Sequence, residues 1–317
     1  MKISVIVCTY NRSRSLANAL ESVASTTFSD PTEWEVLVVD NNSKDQTREV
    51  IEDYRRRYPG RFRYLFEERQ GKSNALNTGI RESQGDVIAF MDDDVTVNPM
   101  WLQNLTAPLH KSDWAGAGGR TLPTQPFSLP HWLAIEGPYE MGGAVAALFD
   151  LGEQPCELDQ PPYGTNMAFQ KQMFERHGFF AVNLGPRPGS QIRGEDTEFG
   201  RRLIAAGERL RYEPSAIVYH PVLDSRIRED YLLAWWFDHG RAQVREKVWR
   251  SPYVWGIPRH YLGISKTIAD RLSIRVLRWM LTLDPKGRFY WKCQAWRVAG
   301  EIVETYRLAS ERRETKR

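Results

Sequence analysis

The chain has 317 residues, 41% of them hydrophobic and 26% charged, with a formal net charge of +3. This is the composition of a soluble globular protein, long enough for one large domain or a domain with an appendage. The three cysteines (Cys8, Cys156, Cys293) have no CxxC spacing, which argues against a disulfide framework and a zinc site. No run approaches the roughly 20 apolar residues that span a bilayer.

The charge is unevenly placed. From residue 241 onward there are 18 Lys and Arg against 7 Asp and Glu, whereas residues 1–240 hold 25 against 33. Seven of the 11 tryptophans lie at or beyond Trp235. A basic, aromatic tail of this kind suits an anionic surface, phospholipid or nucleic acid; no nucleic-acid motif accompanies it, so nucleic acid is not expected. The apolar stretch Ile3–Cys8 is too short for a signal-peptide core, and a cytoplasmic location is expected.

In chain order, ISVIVC (3–8) reads as a strand buried on both faces, followed by a helix with Leu16, Leu20 and Val23 on one side and Ser13 or Ser15 as its cap. WEVLVVD (34–40) is a second strand and Gln46–Tyr58 a second helix. FRYLFEE (62–68), a glycine-bearing loop with a helix around SNALNTGIRES, and DVIAFMDDD (86–94) follow. This βαβ series predicts an α/β fold with a mostly parallel sheet, in which ligands bind beyond the carboxyl ends of the strands. Residues 114–163 read as loops with short strands and a flexible lid. QKQMFERHG and DTEFGRRLIAAG read as helices, RLRYEPSAIVYHP as a closing strand pair, and residues beyond Arg226 as mainly helical with breaks near Pro252, Pro258 and Pro285.

The strand-end rule gathers Thr9, Tyr10, Asn11, Arg12, Asp40, Asn42 and the triplet Asp92, Asp93 and Asp94 around one crevice. No Lys or Arg lies between Arg81 and Lys111, so the triplet has no local counter-charge. Carboxylates clustered at the end of a buried strand suit a divalent cation, Mg²⁺ or Mn²⁺, which would in turn hold a diphosphate.

Five segments, ISVIVCTYNR, VLVVDNNS, GKSNALNTG, FMDDD and GEDTEFGRRL, resemble in order and separation the family-2 glycosyltransferases of the GT-A fold, over residues 1–221. The resemblance implies that Thr9, Tyr10, Arg12, Asp40 and Asn42 line the nucleotide base and ribose, with Asn11 beside them and Lys72 near the base or phosphates. It places Asp92 on the ribose, Asp93 and Asp94 at the metal, and His220 at the metal or diphosphate, the other reading of His220 being a core histidine. Glu195-Asp196 matches the ED motif, in which the aspartate is the general base. A carboxylate in that role takes the acceptor hydroxyl's proton as its oxygen attacks the anomeric carbon. YGTNMAF (163–169), with Gly164, Thr165 and Asn166, matches the segment bounding the sugar pockets. Arg187 and Arg193 would meet a phosphate on the acceptor or form a solvated loop.

The expectation is an inverting, metal-dependent glycosyltransferase. Its donor is a nucleoside-diphosphate sugar, UDP foremost, and its acceptor a hydroxyl of a cell-surface glycan or lipid-linked saccharide. The rivals are a sugar nucleotidyltransferase, against which TYNRSRS lacks a glycine, and a non-catalytic sugar-binding module. Residues 1–225 form the catalytic domain in this reading and 226–317 a helical region. Within it, residues 266–283 place Ile268, Leu272, Val276 and Trp279 on one face beside Arg271, Arg275 and Arg278. That face is expected to lie in a membrane interface or to pack on the catalytic domain.

Overall fold

The computed structural model describes residues 1–110, 113–250 and 268–314. In chain order the elements are β1 (Ile3–Thr9), α1 (Ser13–Ala24), β2 (Trp34–Asp40), α2 (Thr47–Arg57), β3 (Phe62–Phe66), α3 (Lys72–Glu82), β4 (Val87–Asp92), β5 (Thr96–Val97), α4 (Trp101–Thr106) and β6 (Gly116–Pro123). They continue with α5 (Gly142–Ala146), β7 (Cys156–Glu157), β8 (Met167–Gln170), α6 (Gln172–His177), α7 (Glu195–Ala205), β9 (Leu210–His220), α8 (Glu229–Arg250), α9 (Ser273–Leu281) and α10 (Pro285–Glu314). Two compact units result. One comprises Met1–Gln125, Ala147–Gly189 and Glu195–Pro221; the other comprises Pro126–Ala146, Ser190–Gly194 and Val222–Arg317.

The first unit is built on one sheet in the order β3-β2-β1-β4-β8-β6-β9-β5, with β7 pairing β9. The pairs β1–β2, β1–β4, β2–β3 and β6–β9 are parallel, and β8 runs antiparallel to both β4 and β6. Successive side chains of a strand face opposite sides, which accounts for runs without apolar–polar alternation: both faces are covered. Val5, Val7, Val36 and Val38 pack with Leu16, Leu20, Ile51 and Trp101. Ile6, Leu37, Val39 and Phe90 pack with Leu76, Ile80, Phe174 and Phe199 on the other side. Gly79 lets α3 lie close to this face, since a Cβ there would meet Ile6 Cγ2 at 2.8 Å.

Three local expectations change. Neither Ser13 nor Ser15 caps α1; the Ser13 N–H donates to Asp45 Oδ2 at 3.0 Å, from the loop after β2. The closing strand pair is one strand, β9, whose register against β6 shifts at Gly119/Arg120. Within the stretch read as loops with short strands, residues 116–123 form a strand inside the sheet, because a chain of small residues (GAGG) fits where Phe169 and Asn166 crowd the backbone.

In the second unit α8 and α10 cross at two glycines. A Cβ on Gly240 would fall 1.9 Å from the Arg297 carbonyl oxygen and one on Gly300 2.0 Å from that of Phe237. Buried Glu304 accepts from Arg241 Nε at 2.8 Å and Arg245 Nε at 2.6 Å, so its charge is paired. In α9 the predicted face is only half-buried at Leu272, Val276 and Trp279; Arg271, just before it, bonds Glu301 of α10, and the exposed Arg278 lies over the edge of that helix with its guanidinium 4.5 Å from the Trp291 ring centre. Lys266, Thr267 and the breaks near Pro252 and Pro258 lie outside the described residues. Among the described residues no helix is long and apolar enough to cross a membrane.

Candidate active site

The loops after β1 and β2 are tied to each other. Asn11 and Asn42 adopt left-handed backbone (φ 51° and 66°), which asparagine tolerates better than most residues. The Asn11 N–H donates to Ser43 Oγ at 2.9 Å, and Lys44 N–H donates to Asn11 Oδ1 at 2.7 Å. Lys44 Nζ reaches Asn42 Oδ1 at 2.8 Å. Asp40 accepts from Ser43 N–H at 2.9 Å and from the Tyr64 hydroxyl at 3.1 Å. Thr9 is buried, whereas Tyr10 presents its ring to solvent beside Arg12.

Asn41, not singled out in the sequence, binds the neighbouring loop. Its Nδ2 donates to the Glu67 and Arg69 carbonyls and its Oδ1 accepts from Gly71 N–H at 2.7 Å. The signal that could have found it is its place: an amide side chain at the end of a buried strand, beside a glycine-bearing loop. These bonds set the start of α3 and with it Lys72.

The acidic triplet has cationic partners, drawn from distant segments. Lys72 Nζ donates to Asp92 Oδ1 at 2.5 Å and lies 3.7 Å from Glu195 Oε1. Arg12 spans the other two, reaching Asp93 Oδ1 at 3.1 Å and Asp94 Oδ2 at 2.6 Å. The missing positive charge of the sequence reading is therefore supplied in part by the protein itself, not by an ion alone. Burial works against the Lys72 and Arg12 cations, but the carboxylates around them prevail and hold both well above their ordinary values. Burial pushes Asp93 up to about 6, against the pull of Arg12. Asp92 is the more exposed of the two; burial works against its charge as well, but Lys72 holds it below the usual carboxylate range.

His220, at the end of β9, is buried. Its Nδ1 lies 2.9 Å from the Pro221 carbonyl, which can only accept, so that nitrogen carries a proton and Nε2 is the one that would ligate a metal. Nε2 stands 3.8 Å from Asp94 Oδ1.

Glu195 and Asp196 open α7, where carboxylates suit the helix's positive end. The Asp196 carboxylate accepts from Gly164 N–H at 2.6 Å and Thr197 N–H at 2.7 Å, which fixes its direction. Gly164 leaves little room at that approach: a Cβ would lie 3.0 Å from Asp196 Oδ2, so the carboxylate would have to give by a few tenths of an ångström. Burial, aided by the Asp196 charge, raises Glu195 to about 7 against the attraction of Lys72. A narrow pocket is lined by Lys72, Asp92, Gly164, Glu195 and Asp196, with Cys8, Leu76, Phe90, Met91 and Met167 as its apolar wall. Cys8 and Met167 had no signal beyond their strands. Burial pushes the Cys8 thiol up, so it is an inert wall.

The remaining pocket residues divide. Thr165 is buried and its hydroxyl has no hydrogen-bond partner among the described residues. The Asn166 amide is committed to the core: Nδ2 donates to the Arg120 and Ala216 carbonyls at 3.0 and 2.8 Å, and Oδ1 accepts from Trp101 Nε1 at 2.8 Å. That geometry makes it a brace behind the pocket. Arg193 belongs to the second unit, where it bonds Gln191 Oε1 at 3.3 Å.

Residues 4–177 match the family model described as "Glycosyl transferase family 2", more than half of the chain. The chain belongs to glycosyl transferase family 2. Relatives within that reach include the glycosyltransferase AglE of Haloferax volcanii, 26% identical over 87% of this chain and 90% of the relative. The glucosyl-dolichyl phosphate glucuronosyltransferase of the same organism is 29% identical over 74% and 73%. Among solved structures, a mannosyltransferase from Pyrobaculum calidifontis in complex with GDP-Man and Mn²⁺ superposes with a TM-score of 0.64 at 18% identity, covering 96% of this chain and 87% of that one. This family-2 chain thus has the GT-A fold, with the paired strand ends described above on its carboxyl side.

Proposed function

We propose that the chain is an inverting glycosyltransferase that moves a sugar from a nucleoside diphosphate to a hydroxyl acceptor, with Asp196 as general base. The observation that carries this is the Asp196 carboxylate, aimed by the Gly164 and Thr197 N–H groups in the pocket that also holds Lys72, Asp92 and Glu195. An acceptor hydroxyl hydrogen-bonded to Asp196 would lose its proton as its oxygen attacks the anomeric carbon from the face opposite the diphosphate, and inversion follows. Lys72 would hold a phosphate oxygen or the developing charge of the leaving diphosphate. Arg12, Tyr10 and the Asp40–Ser43 turn would bound the nucleotide, and Thr165 the sugar. Glu195, near its midpoint at neutral pH, would set the charge beside the base.

A divalent ion, Mn²⁺ or Mg²⁺, fits the chemistry present. Among the described residues no group of three His, Cys, Asp or Glu would hold one alone. Asp94 Oδ1 and His220 Nε2 offer a carboxylate and a correctly tautomeric imidazole, with Asp93 alongside. Such a pair suits an ion that completes its shell with substrate phosphates. When bound, the ion would neutralise the diphosphate as it departs. The Mn²⁺ and GDP-Man bound by the Pyrobaculum mannosyltransferase support this class of donor and cofactor, without favouring UDP. The Haloferax glucosyl-dolichyl phosphate glucuronosyltransferase supports an acceptor carried on a lipid, and such an acceptor would bring the chain to a membrane surface.

The test is incubation with UDP-, GDP- and dTDP-sugars and Mn²⁺, followed by release of nucleoside diphosphate. One donor should be hydrolysed slowly without acceptor and faster with it. Asp196→Asn should lower acceptor-dependent transfer by about 10²-fold or more. Release from no donor would refute the reading, and equal transfer by Asp196→Asn would refute the base.

A further inference from the structure

The α9 helix carries an apolar face that the second unit leaves open. Ile274, Leu277 and Leu281 recur at i, i+3 and i+7, and Met280 and Leu283 extend the stripe. Leu277 is 56% exposed, Met280 and Leu281 69% each, and Leu283 94%. This is not the face the sequence marked. Leu272, Val276 and Trp279 are half-buried, Arg271 bonds Glu301 of α10, and Arg275 donates to the Arg271 carbonyl one turn earlier. Five large apolar side chains exposed within ten residues form a contiguous patch, and such patches mark interaction surfaces.

The charge around the stripe selects its occupant. Residues 273–292 hold five cations (Arg275, Arg278, Lys286, Arg288 and Lys292) and one acid, Asp284. Arg278, Lys286 and Arg288 are exposed, at the side and at the C-terminal end of the stripe. Two copies of a cationic surface repel, whereas an anionic lipid surface offers an apolar layer beneath a negative one. With nine residues, α9 is far too short to span a bilayer and suited to lie along one.

We propose that α9 is a membrane-docking helix that seats Ile274, Leu277, Met280, Leu281 and Leu283 in the interface of an anionic bilayer, with Arg278, Lys286 and Arg288 at the headgroups. It deepens the reading of a lipid-carried acceptor, but its test needs no transfer. The full chain is sedimented with vesicles of phosphatidylcholine alone and of phosphatidylcholine with phosphatidylglycerol, beside Leu277→Glu/Leu281→Glu and Lys286→Glu/Arg288→Glu. Both double variants change exposed side chains, and circular dichroism checks that each stays folded.

The wild type should partition to the anionic vesicles, and each variant should lose binding about tenfold or more. Binding by Leu277→Glu/Leu281→Glu equal to wild type would overturn the proposal. So would equal binding to both vesicle types, or a wild-type dimer in solution that the leucine variant dissolves. Donor hydrolysis by the leucine variant should match wild type, so loss of docking and failure of the transferase reading are told apart.

Discussion

Replacing Glu195 by Gln removes one buried negative charge without changing the shape of the side chain. The Glu195 carboxyl is raised from an ordinary 4.5 to about 7 because burial penalises its charged form more than Lys72, 3.7 Å away, stabilises it. A group whose folded value is raised in this direction gives a penalty that is absent below pH 4.5. The penalty grows as pH rises and is complete above about 7. At 1.36 kcal/mol per pH unit the full penalty is about 3 kcal/mol. Glutamine cannot ionise, so Glu195→Gln should match wild type at pH 4.5 and exceed it by up to about 3 kcal/mol at pH 8. Urea unfolding at pH 5, 6.5 and 8 reads this gap directly, since other buried carboxyls titrate alike in both proteins. A gap that stays flat across the series, or shrinks as pH rises, would refute the assignment of the raised carboxyl to Glu195.

Asn166→Ala should act on stability and not on donor recognition. It strands two carbonyls and the Trp101 indole N–H, each worth about 1–3 kcal/mol when buried without a partner, so the unfolding midpoint should fall while KM for donor in the folded protein is unchanged. Gly240→Ala and Gly300→Ala should each separate α8 from α10 at a cost of about 1–3 kcal/mol or more, read in a far-UV thermal melt. His220→Ala should raise the Mn²⁺ concentration needed for half-maximal activity by about tenfold or more; an unchanged requirement would leave His220 as a core histidine.

The N-terminal sheet was legible because parallel strands covered on both faces are continuous apolar runs, as in ISVIVC and WEVLVVD, and because polar residues collect where those runs stop. β6 could not be placed within the stretch read as loops with short strands, since its GAGG sequence has no apolar signal; it fits inside the sheet because neighbouring atoms leave no room for a Cβ at Gly116, Gly118 and Gly119. The same limit hid the single span of β9, whose pairing partner lies nearly a hundred residues away in the chain.

By itself the sequence determined the strand–helix order, the clustering of acids at the end of β4, and the Glu195-Asp196 pair at a helix start. Those follow from local periodicity and from residue type, which the chain carries without folding. Only the tertiary structure decided that Lys72 and Arg12 partly neutralise the triplet, that Asn166 faces the core, that Asp196 is aimed by Gly164, and that Arg271 is tied to α10 while the leucines of α9 stay exposed. These depend on contacts between segments 20 to more than 80 residues apart, and on which face of a helix finds a partner. Local pattern cannot supply that information, because several faces and several pairings are compatible with the same spacing.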